Sequence, residues 1–231
     1  MNEIGLLIIA TNKYKEFVEP LIKSADKFFM KKKLFSQNKV SYFIFTEESL
    51  KIDSPRDIHY IPTSHEPWPW MTLGRYKIFN EHSEKLSAMS YLYYTDVDMR
   101  FAGHVDEEIL SDRVATIHPG FLGGKGTPEM NPNSLACVFP NEAMTYFAGG
   151  FNGGTSNEYL KMCKTLSANI DKDYKNDIIA VWHDESHMNR YFIDNPPTKV
   201  LEPSYCYPES WSLPYEKKLL ALDKNHEEIR K

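Results

Sequence analysis

The feature that most constrains the fold is a strand–helix–strand pattern near the start of the chain. Residues 5–10 (GLLIIA) form an uninterrupted apolar run that is typical of a buried parallel strand. Apolar residues at helical spacing then predict a helix that ends near Met30, and residues 40–46 and 58–61 predict two further strands. Parallel strands need a helical crossover between them, so this order predicts a layered α/β sheet.

The composition predicts an acidic globular protein of a reducing compartment. The 231 residues carry a formal net charge of -5, which argues against nonspecific binding of nucleic acid. Three widely spaced cysteines fit neither a disulfide framework nor a zinc pattern, so free thiols are expected.

Neither a signal peptide nor a run of transmembrane length is recognisable. We therefore expect a cytoplasmic protein. The basic residues 31–33 then form a solvated helix end or, as an alternative, a peripheral contact with an anionic membrane.

The first chemical signal is a strand that ends in two aspartates. Residues 91–101 (YLYYTDVDMRF) begin as an aromatic and aliphatic strand. If the strand continues, Asp96 and Asp98 lie on one side of it, about 6.6 Å apart at the backbone. Such neighbours repel unless a cation compensates them, and a divalent ion that carries phosphates would do so. From these residues alone, a solvated strand end remains equally open.

Several other polar positions fall near the same predicted sheet edge. Ligands bind α/β sheets at the carboxyl ends of the strands, which brings residues 10–14 beside the aspartates. Arg75 lies in the first turns of a helix predicted over residues 72–86, although the tryptophans before it could simply seal that helix against the sheet. The glycine-rich fingerprints of dinucleotide and P-loop sites are absent from the sequence.

The second half of the chain combines a long loop with a dense polar segment. After a strand at residues 113–117, the loop of about residues 120–141 lacks periodicity, and long loops of this kind usually carry function. Residues 146–154 (YFAGGFNGG) predict a strand and turn against which something lies closely. Residues 182–186 (WHDES) open an apolar helix. The last residues, 223–231, are expected to be a frayed terminus.

Two interpretations of the helix that follows Trp182 remain open on its residues alone. It is a capped surface helix, or its histidines bind zinc in a hydrolase, because His183 and His187 are four residues apart on one face. The zinc-protease pattern needs Glu directly after the first His, whereas Asp184 stands there.

Taken together, these stretches resemble the family 6 retaining glycosyltransferases, which include the blood-group A and B transferases and bacterial or viral relatives. The resemblance spans nearly the whole chain and rests on many short matches in the same order. The matching positions are Tyr14, Trp68 with Arg75, residues 95–99 (TDVDM), residues 118–121 (HPGF), residues 148–154 (AGGFNGG), residues 182–186 (WHDES), and Lys224 with Arg230.

The resemblance implies a GT-A glycosyltransferase fold in one catalytic domain over residues 1–231. A Rossmann-like nucleotide-binding half would occupy about residues 1–100, an acceptor-binding half residues 101–222, and a mobile tail over the diphosphate residues 223–231. The implied reaction moves GalNAc or Gal from a UDP-sugar, with Mn²⁺ or Mg²⁺, in α1,3 linkage to the galactose of a fucosylated, H-antigen-like glycan.

The resemblance also implies a role for individual residues. The uracil would be held by Ile9, Ala10 and Tyr14. The ribose and metal would be bound around Asp96, Val97 and Asp98, with both aspartates as metal ligands. The donor sugar would contact Arg75, His183 and Asp184, and its 2-position would lie against Ala148, Gly149 and Gly150. Lys224 and Arg230 would close over the diphosphate. The acceptor side would consist of Trp68, His118, Thr127, Trp182 and Glu185, with Glu185 as the catalytic carboxylate beneath the anomeric carbon.

Two departures from the family pattern refine these expectations. Some bacterial relatives replace the aspartate pair by asparagines and work without metal, whereas Asp96 and Asp98 are present here, so metal dependence is expected. Residues 123–138 lack the Glu-Arg-Arg run of the relatives, which leaves acceptor contacts in that loop undefined. A module that binds sugar nucleotides without catalysis is a further alternative, but the joint presence of Asp98, Glu185, Lys224 and Arg230 argues for an active enzyme.

Overall fold

The computed structural model describes residues 2–31, 38–142 and 145–229. Within them the strands are β1 Glu3–Ile9, β2 Lys39–Thr46, β3 Asp57–Pro62, β4 Tyr91–Thr95, β5 Met99–Phe101, β6 Arg113–Ile117, β7 Phe147–Thr155, β8 Lys199–Leu201, β9 Tyr207–Pro208 and β10 Leu219–Ala221. The helices are α1 Val18–Phe28, α2 Trp70–Leu73, α3 Arg75–Glu81, α4 Ser83–Leu86, α5 Ser156–Tyr174, α6 His183–Asp194 and α7 His226–Ile229. None of the described helices is both long and apolar enough to cross a membrane.

A seven-stranded mixed sheet forms the centre of the molecule. Its strand order is β3-β2-β1-β4-β7-β6-β8, and the first four of these strands run parallel to one another. Strand β7 is antiparallel to both β4 and β6, while β8 is parallel to β6. The mixed α/β fold expected from the sequence is therefore confirmed. The predicted division near residue 100 into nucleotide and acceptor halves stays a prediction.

Apolar layers cover both faces of this sheet, as the alternation of side chains along β1 requires. Ile4, Leu6 and Ile8 are fully buried on the face covered by α1, whereas Leu7 points to the opposite face, where α3, α5 and α6 pack. Each buried aliphatic side chain of this kind stabilises the fold by about 1.5–3 kcal/mol relative to exposure. Because both faces are apolar, polar groups gather at the strand ends.

A second, three-stranded sheet lies beside the polar edge and has the order β5-β10-β9. Strand β10 pairs antiparallel with β5 and parallel with β9, and this pairing brings the chain after residue 221 back to the aspartate pair. The backbone N–H of Leu222 donates to the carbonyl of Asp98 at 3.1 Å. The expected frayed terminus is instead the short helix α7, in which Ile229 is buried. Arg230 lies outside the described residues.

An irregularity in β7 positions backbone donors near the same edge. Strand β7 pairs with Thr116 of β6 at Ala148 and resumes pairing only at Asn152, so residues 149–151 have no partner on β6. The backbone N–H of Gly149 is therefore free to bond a side chain, since a bulge withdraws residues from the ladder. The Thr116 hydroxyl donates to the carbonyl of Phe151 at 2.8 Å and compensates one of the lost ladder bonds.

Three sequence expectations differ from the structure. The helix predicted over 72–86 is divided into α2, α3 and α4, with breaks at Gly74 and His82. The strand over 91–101 ends at Thr95 and the chain turns at the aspartates, so strand alternation does not set their spacing. Helix α1 ends at Phe28 rather than near Met30, whose φ of 44° is left-handed. Lys32 and Lys33 of the basic cluster lie outside the described residues.

Helix α5 was absent from the sequence prediction, although its pattern is clear in retrospect. Tyr159, Met162, Cys163, Leu166 and Ile170 are buried at helical spacing on one face. The free thiols expected from the spacing of the cysteines are confirmed: Cys137, Cys163 and Cys206 form no disulfide.

Candidate active site

A cleft of about 450 Å³ opens at the carboxyl ends of β1 and β4. Its walls come from the segment after β1, from α2 and α3, from the turn after β4, and from the residues that precede and begin α6. The lining residues are Ile9, Thr11, Tyr14, His65, Glu66, Trp68, Met71, Thr72, Arg75, Tyr94, Asp96, Val97, Asp98, Trp182, His183, Lys224 and Ile229. Segments far apart in sequence thus meet where parallel sheets commonly bind ligands.

The two aspartates of the turn after β4 differ in their surroundings. The Asp96 side chain is 44% exposed, accepts a hydrogen bond of 2.6 Å from the Tyr94 hydroxyl, and lies 3.6 Å from the Arg75 guanidinium. The Asp98 side chain is only 11% exposed and its carboxylate is bonded to the ammonium of Lys224. The Lys224 ammonium therefore compensates the Asp98 carboxylate, which is the more buried of the two and would be costly to bury without a counter-charge.

Arg75 connects the aspartate turn to helix α6. It is 4% exposed, and its guanidinium forms an ion pair with Asp184 and donates a hydrogen bond of 3.2 Å to the Gly149 carbonyl. The guanidinium carbon also lies 4.1 Å from the centroid of the Tyr94 ring. Burial raises the pKa of Asp184 to about 6, because desolvation outweighs the opposing attraction of Arg75.

Glu185 is held through both of its carboxylate oxygens. The Tyr146 hydroxyl donates to Oε1 at 2.9 Å, and the backbone N–H of Gly149 donates to Oε2 at 2.7 Å. Asn189, one turn later on α6, exchanges two hydrogen bonds with the backbone of Phe147 and so fixes α6 against β7. Burial raises the pKa of Glu185 to about 7, and these hydrogen bonds oppose that rise.

Three small residues, Ala148, Gly149 and Gly150, lie near Glu185 and leave little room for a larger side chain. A Cβ on Gly149 would lie 3.4 Å from both the Arg75 guanidinium and the Glu185 carboxylate. A Cβ on Gly150 would approach Asp96 and Cys206 to 3.2 Å, so the glycine lets the aspartate turn pack against β7. Ala148 is 3% exposed. All three therefore lie behind the cleft surface and determine how closely its charged groups meet.

Aromatic side chains form the opposite wall of the cleft. Trp68 and Trp182 are 50% and 49% exposed, unusually high for tryptophan. His183 has a left-handed φ of 54°, and its ring packs edge-on against Trp68 with 5.0 Å between the centroids. The indole N–H of Trp182 donates to the Thr127 hydroxyl at 2.6 Å. Two large apolar faces are thereby presented beside the charged groups, an arrangement typical of carbohydrate and nucleotide sites.

His118 lies at the start of the long loop. Its Nδ1 accepts a hydrogen bond of 3.0 Å from the backbone N–H of Gly120, and its ring packs against Phe121 and Tyr146. Burial lowers the pKa of His118, so the imidazole is neutral near pH 7. The remaining ring nitrogen is then the hydrogen-bonding group that it can offer a ligand.

Comparison with known proteins agrees with this arrangement over the full length of the chain. The sequence model of Glycosyltransferase family 6 matches residues 2–231. The chain belongs to glycosyltransferase family 6.

Similar proteins occur in vertebrates and in a bacterium. The histo-blood group ABO system transferase 1 of Rattus norvegicus is 34% identical, over 98% of this chain and 68% of the relative. The globoside alpha-1,3-N-acetylgalactosaminyltransferase 1 of Gallus gallus is 31% identical, over 98% of this chain and 69% of the relative. The O-antigen biosynthesis glycosyltransferase WbnI of Escherichia coli is 25% identical, over 97% and 96% of the two chains. The family resemblance inferred from the sequence motifs is confirmed, and the chain is a glycosyltransferase.

The zinc-hydrolase alternative is not supported by family 6 membership or by the geometry. His183 lines the cleft. His187 does not line it, is only 1% exposed, and has its Nε2 3.6 Å from the Asp173 Oδ2. Within the described ranges no group of three or more His, Cys, Asp or Glu side chains could enclose a metal ion. The inactive binding module is likewise not supported by the relatives, which are named as transferases.

Most residues that the sequence singled out for this glycosyltransferase site meet at the cleft or directly behind it. Those in the lining are Ile9, Tyr14, Trp68, Arg75, Asp96, Val97, Asp98, Trp182, His183 and Lys224. Those outside the lining are Ala10, His118, Thr127, Ala148, Gly149, Gly150, Asp184 and Glu185. Ala10 is fully buried and its N–H donates to the Phe45 carbonyl at 2.9 Å.

Sequence reasoning missed several lining residues of the glycosyltransferase cleft. They include His65, which is joined to Thr11 by a hydrogen bond of 2.9 Å, and Ile229, which lines the cleft from α7. Residues 63–67 carry no periodic pattern, and the tail is too polar to predict a buried side chain. Thr11 itself falls in the segment 10–14 that the sequence placed at this edge of the sheet.

Proposed function

We propose that this family 6 enzyme transfers N-acetylgalactosamine, or galactose, from a UDP-sugar in α1,3 linkage to a galactose of a fucosylated, H-antigen-like glycan, with retention of anomeric configuration. The observation that carries the proposal is the cleft itself, which is lined by a pair of aspartates and a buried arginine, with a doubly hydrogen-bonded glutamate behind the lining. The name of the chicken relative, an alpha-1,3-N-acetylgalactosaminyltransferase, supports the sugar and the linkage.

The leaving-group side of the reaction is assigned to the aspartate turn. UDP leaves with the electron pair of the sugar–phosphate bond, so its diphosphate needs positive charge. Lys224 reaches the Asp98 carboxylate and can supply an ammonium there. By the family resemblance Arg230 would add a second cation. The uracil would lie beyond these groups, against Ile9, Ala10 and Tyr14.

The residues of the turn fit a divalent ion, Mn²⁺ or Mg²⁺, that arrives with the diphosphate. Two carboxylates open to the same cleft, and the more buried one is already paired with a cation, the Lys224 ammonium. Since these two are too few to enclose a metal, diphosphate oxygens would complete the ligand set, as hard divalent ions commonly require. When bound, the ion would supply Lewis-acid stabilisation of the departing UDP.

The donor sugar is assigned to the space between Arg75 and the start of α6. The Arg75–Asp184 pair is buried, and charged hydrogen bonds in such surroundings orient a ligand strongly. His183 adds a polar ring to the cleft wall. These groups would fix the sugar hydroxyls so that the anomeric carbon faces Glu185.

Glu185 is proposed as the catalytic carboxylate. Loss of UDP builds positive charge on the sugar ring, and an ionised carboxylate beneath the ring stabilises it. The carboxylate either bonds covalently to the anomeric carbon or stabilises charge while the acceptor attacks on the face that UDP leaves; both routes retain configuration. As the new glycosidic bond forms, the acceptor hydroxyl gives its proton to the phosphate oxygen of the departed UDP, and in the covalent route the bond to Glu185 breaks at the same step.

The acceptor is assigned to the aromatic wall. Trp68 and Trp182 offer large exposed faces for sugar rings, and His118 and Thr127 bring polar groups from the loop that follows β6. The small residues Ala148, Gly149 and Gly150 favour GalNAc over Gal, because they leave volume near the expected 2-position of the donor. Such room permits an N-acetyl group without requiring it.

The deciding experiment is a screen of donors and acceptors with purified protein, in Mn²⁺ and in EDTA, with the product linkage determined by NMR. We expect an α1,3-linked GalNAc product from UDP-GalNAc and a fucosylated galactoside, and loss of transfer in EDTA. A different linkage, or transfer unaffected by EDTA, would contradict the corresponding part of the proposal. The proposed location is the cytoplasm, on glycan precursors, and cell fractionation tests it separately.

A further inference from the structure

The segment that carries Trp182 to the cleft wall is an irregular stretch between α5 and α6. This Trp182 segment spans residues 177–183, and its first and last residues have left-handed φ values of 58° and 54°. Ile179, Val181 and Trp182 are about half exposed, whereas Ala180 is buried. Apolar burial therefore does little to fix the segment, so its position depends largely on hydrogen bonds.

Glu129 of the long loop bonds the backbone of the Trp182 segment. Its Oε2 accepts a hydrogen bond of 2.8 Å from the N–H of Val181, the residue directly before Trp182. Its Oε1 accepts a bond of 2.7 Å from the N–H of Asn131, and its carbonyl accepts from the N–H of Val138 at 2.8 Å. One residue thus closes the loop on itself and joins it to the segment before α6.

The Glu129 carboxylate is buried against these backbone donors. The residue is 8% exposed, and among the described residues the donors to its carboxylate are the N–H groups of Asn131 and Val181. Hydrogen bonds to a carboxylate are stronger than those between neutral groups. A buried carboxylate that lost one of its donors would still bear the cost of its desolvation. The loop is therefore held firmly against the backbone of the Trp182 segment.

A second bond from the same loop reaches Trp182 itself. Its indole N–H donates to the Thr127 hydroxyl at 2.6 Å. A tryptophan ring turns about two side-chain bonds, and each rotation changes the face that it presents to the cleft. Glu129 fixes the backbone on one side of these bonds, and Thr127 fixes the ring on the other. The loop thus sets the plane of an aromatic face that lines the cleft.

The loop has further attachments that do not involve Glu129. The Ser134 hydroxyl donates to the Asp173 carboxylate near the end of α5 at 2.6 Å. Arg190 of α6 forms an ion pair of 2.6 Å with Glu142. A substitution of Glu129 should therefore release the segment that it bonds without detaching the loop from the protein.

We propose that Glu129 is a positioning residue that sets the placement of Trp182 at the cleft wall and thereby the strength of acceptor binding. This role rests on the proposed function, which assigns Trp182 to the acceptor glycan. Glu129 is not among the lining residues of the cleft, so it acts through Trp182 and not through contact with a sugar. Residues 123–138, whose acceptor contacts the sequence left undefined, thereby gain an indirect part in binding the acceptor.

The test compares variants at the two ends of this contact. Glu129→Gln changes the volume little but replaces one carboxylate oxygen by an amide NH2, which repels a backbone N–H. Glu129→Asp keeps the charge and shortens the side chain by one methylene, so it is an independent arm if Glu129→Gln does not fold. Trp182→Ala removes the ring, and the double variant with Glu129→Gln completes a cycle. Glu142→Gln is the matched control, since Glu142 also accepts from its own loop, the Phe139 N–H at 2.8 Å, but pairs with Arg190 instead of the Trp182 segment.

The first measurement is steady-state kinetics with the acceptor and the donor varied separately. Glu129→Gln should raise the KM for the acceptor about tenfold, because a misplaced aromatic face loses its contact with the sugar. The KM for UDP-GalNAc, and the hydrolysis of UDP-GalNAc without acceptor, should stay as in wild type. In the Trp182→Ala background, Glu129→Gln should have no further effect on the acceptor KM, since the ring that it positions is gone.

The second measurement follows the indole N–H of Trp182 by nitrogen-15 NMR and does not depend on activity. The chain has four tryptophans, so the Trp182 signal is identified by its loss in Trp182→Ala. In Glu129→Gln this signal should shift and exchange faster with water, because the bond to Thr127 is loosened. The Glu142→Gln protein should keep the wild-type signal.

A shifted Trp182 signal, together with a raised KM for the acceptor alone, supports the inference. An unchanged signal in both Glu129 variants overturns it, whatever happens to the kinetics. Equal effects in Glu142→Gln overturn it because the loop would then act as a whole, and so does an effect of Glu129→Gln that persists in full in the Trp182→Ala background. If Trp182→Ala itself binds the acceptor like wild type, the proposed acceptor site fails, and the NMR signal still decides whether Glu129 positions Trp182.

Discussion

The guanidinium of Arg75 is paired with the carboxylate of Asp184 where both side chains are almost completely shielded from solvent. Arg75 begins α3 and Asp184 lies in the first turn of α6, so the pair joins two helices across the end of the sheet. Neither charge has an alternative partner of comparable burial within the described part of the chain. The pair is thus a structural joint that lies beside the proposed donor site.

Removing one member of this pair should destabilise the fold strongly. Asp184→Asn leaves the guanidinium buried without its main counter-charge, and loss of one partner of a buried pair costs about 3–5 kcal/mol. We expect the urea midpoint of unfolding to fall accordingly. Lys23→Met is the control, because its pair with Glu19 on α1 is exposed and should leave the midpoint unchanged. Equal midpoints for Asp184→Asn and wild type would show that the pair contributes no net stability.

The activity should depend on the ionisation of Glu185 near neutral pH. Its pKa is raised to about 7, and the carboxylate form is the one that stabilises a cationic sugar. The kcat/KM for transfer should therefore rise with an acid limb near pH 7. Glu185→Ala should lose transfer by several orders of magnitude while UDP binding, measured by calorimetry, stays largely intact. Near-normal turnover in Glu185→Ala would contradict the catalytic assignment.

The same raised pKa has a consequence for stability, with a definite sign. Between pH 4.5, the ordinary pKa, and about 7, the folded state holds a proton on Glu185 that the unfolded state has lost. Stability is therefore lost as pH rises through that window. Glu185→Gln cannot ionise, so its stability relative to wild type should increase by roughly 3 kcal/mol between pH 4 and pH 8. Urea titrations at both pH values measure this, and parallel behaviour of the two proteins would refute it.

The sequence predicted the strands and the polar groups at their ends better than it predicted the turns and hydrogen bonds around them. Buried strands and an aspartate pair at a sheet edge follow from apolar runs and connection rules, and these expectations matched. The placement of Asp96 and Asp98 on one continuous strand was wrong, because β4 ends at Thr95 and no local pattern marks the turn that follows. The availability of the Gly149 N–H for a side-chain hydrogen bond could not be predicted either, because a bulge depends on the register of two strands.

Other residues of the site could not be predicted from the sequence for different reasons. Tyr146 stands in an aromatic, glycine-rich run, where a tyrosine is indistinguishable from a core residue until its hydroxyl partner is located. Ile229 belongs to a polar tail, and its burial follows from the packing of α7 rather than from its own segment. Glu185 was singled out by family resemblance. Its two hydrogen bonds depend on residues about 36 and 39 positions away, beyond the reach of periodicity.

Donor choice can be tested at Gly149. We expect UDP-GalNAc to exceed UDP-Gal in kcat/KM when both are offered in competition. In Gly149→Ala the added methyl group lies 3.4 Å from Arg75 and Glu185, an ordinary contact that the fold can accept. It narrows the space assigned to the sugar, so kcat/KM should fall more for UDP-GalNAc than for UDP-Gal. A preference for UDP-Gal in the wild-type enzyme would overturn the donor assignment.

The contact between Lys224 and Asp98 predicts opposite effects on two ligands. In the structure the ammonium compensates the carboxylate that is proposed to bind the divalent ion. Lys224→Met removes a competitor for that carboxylate, so Mn²⁺ alone should bind more tightly, about tenfold for one such charged contact. The same variant lacks a cation for the diphosphate, so UDP in the presence of Mn²⁺ should bind more weakly. Calorimetry with Mn²⁺, and then with UDP at saturating Mn²⁺, separates the two effects.

Lys13→Met, which removes a backbone contact to Glu228 at the exposed side of α7, controls for loosening of the tail. If both ligands weaken together in Lys224→Met, the lysine only holds the tail in place, and it does not exchange between the aspartate and the diphosphate.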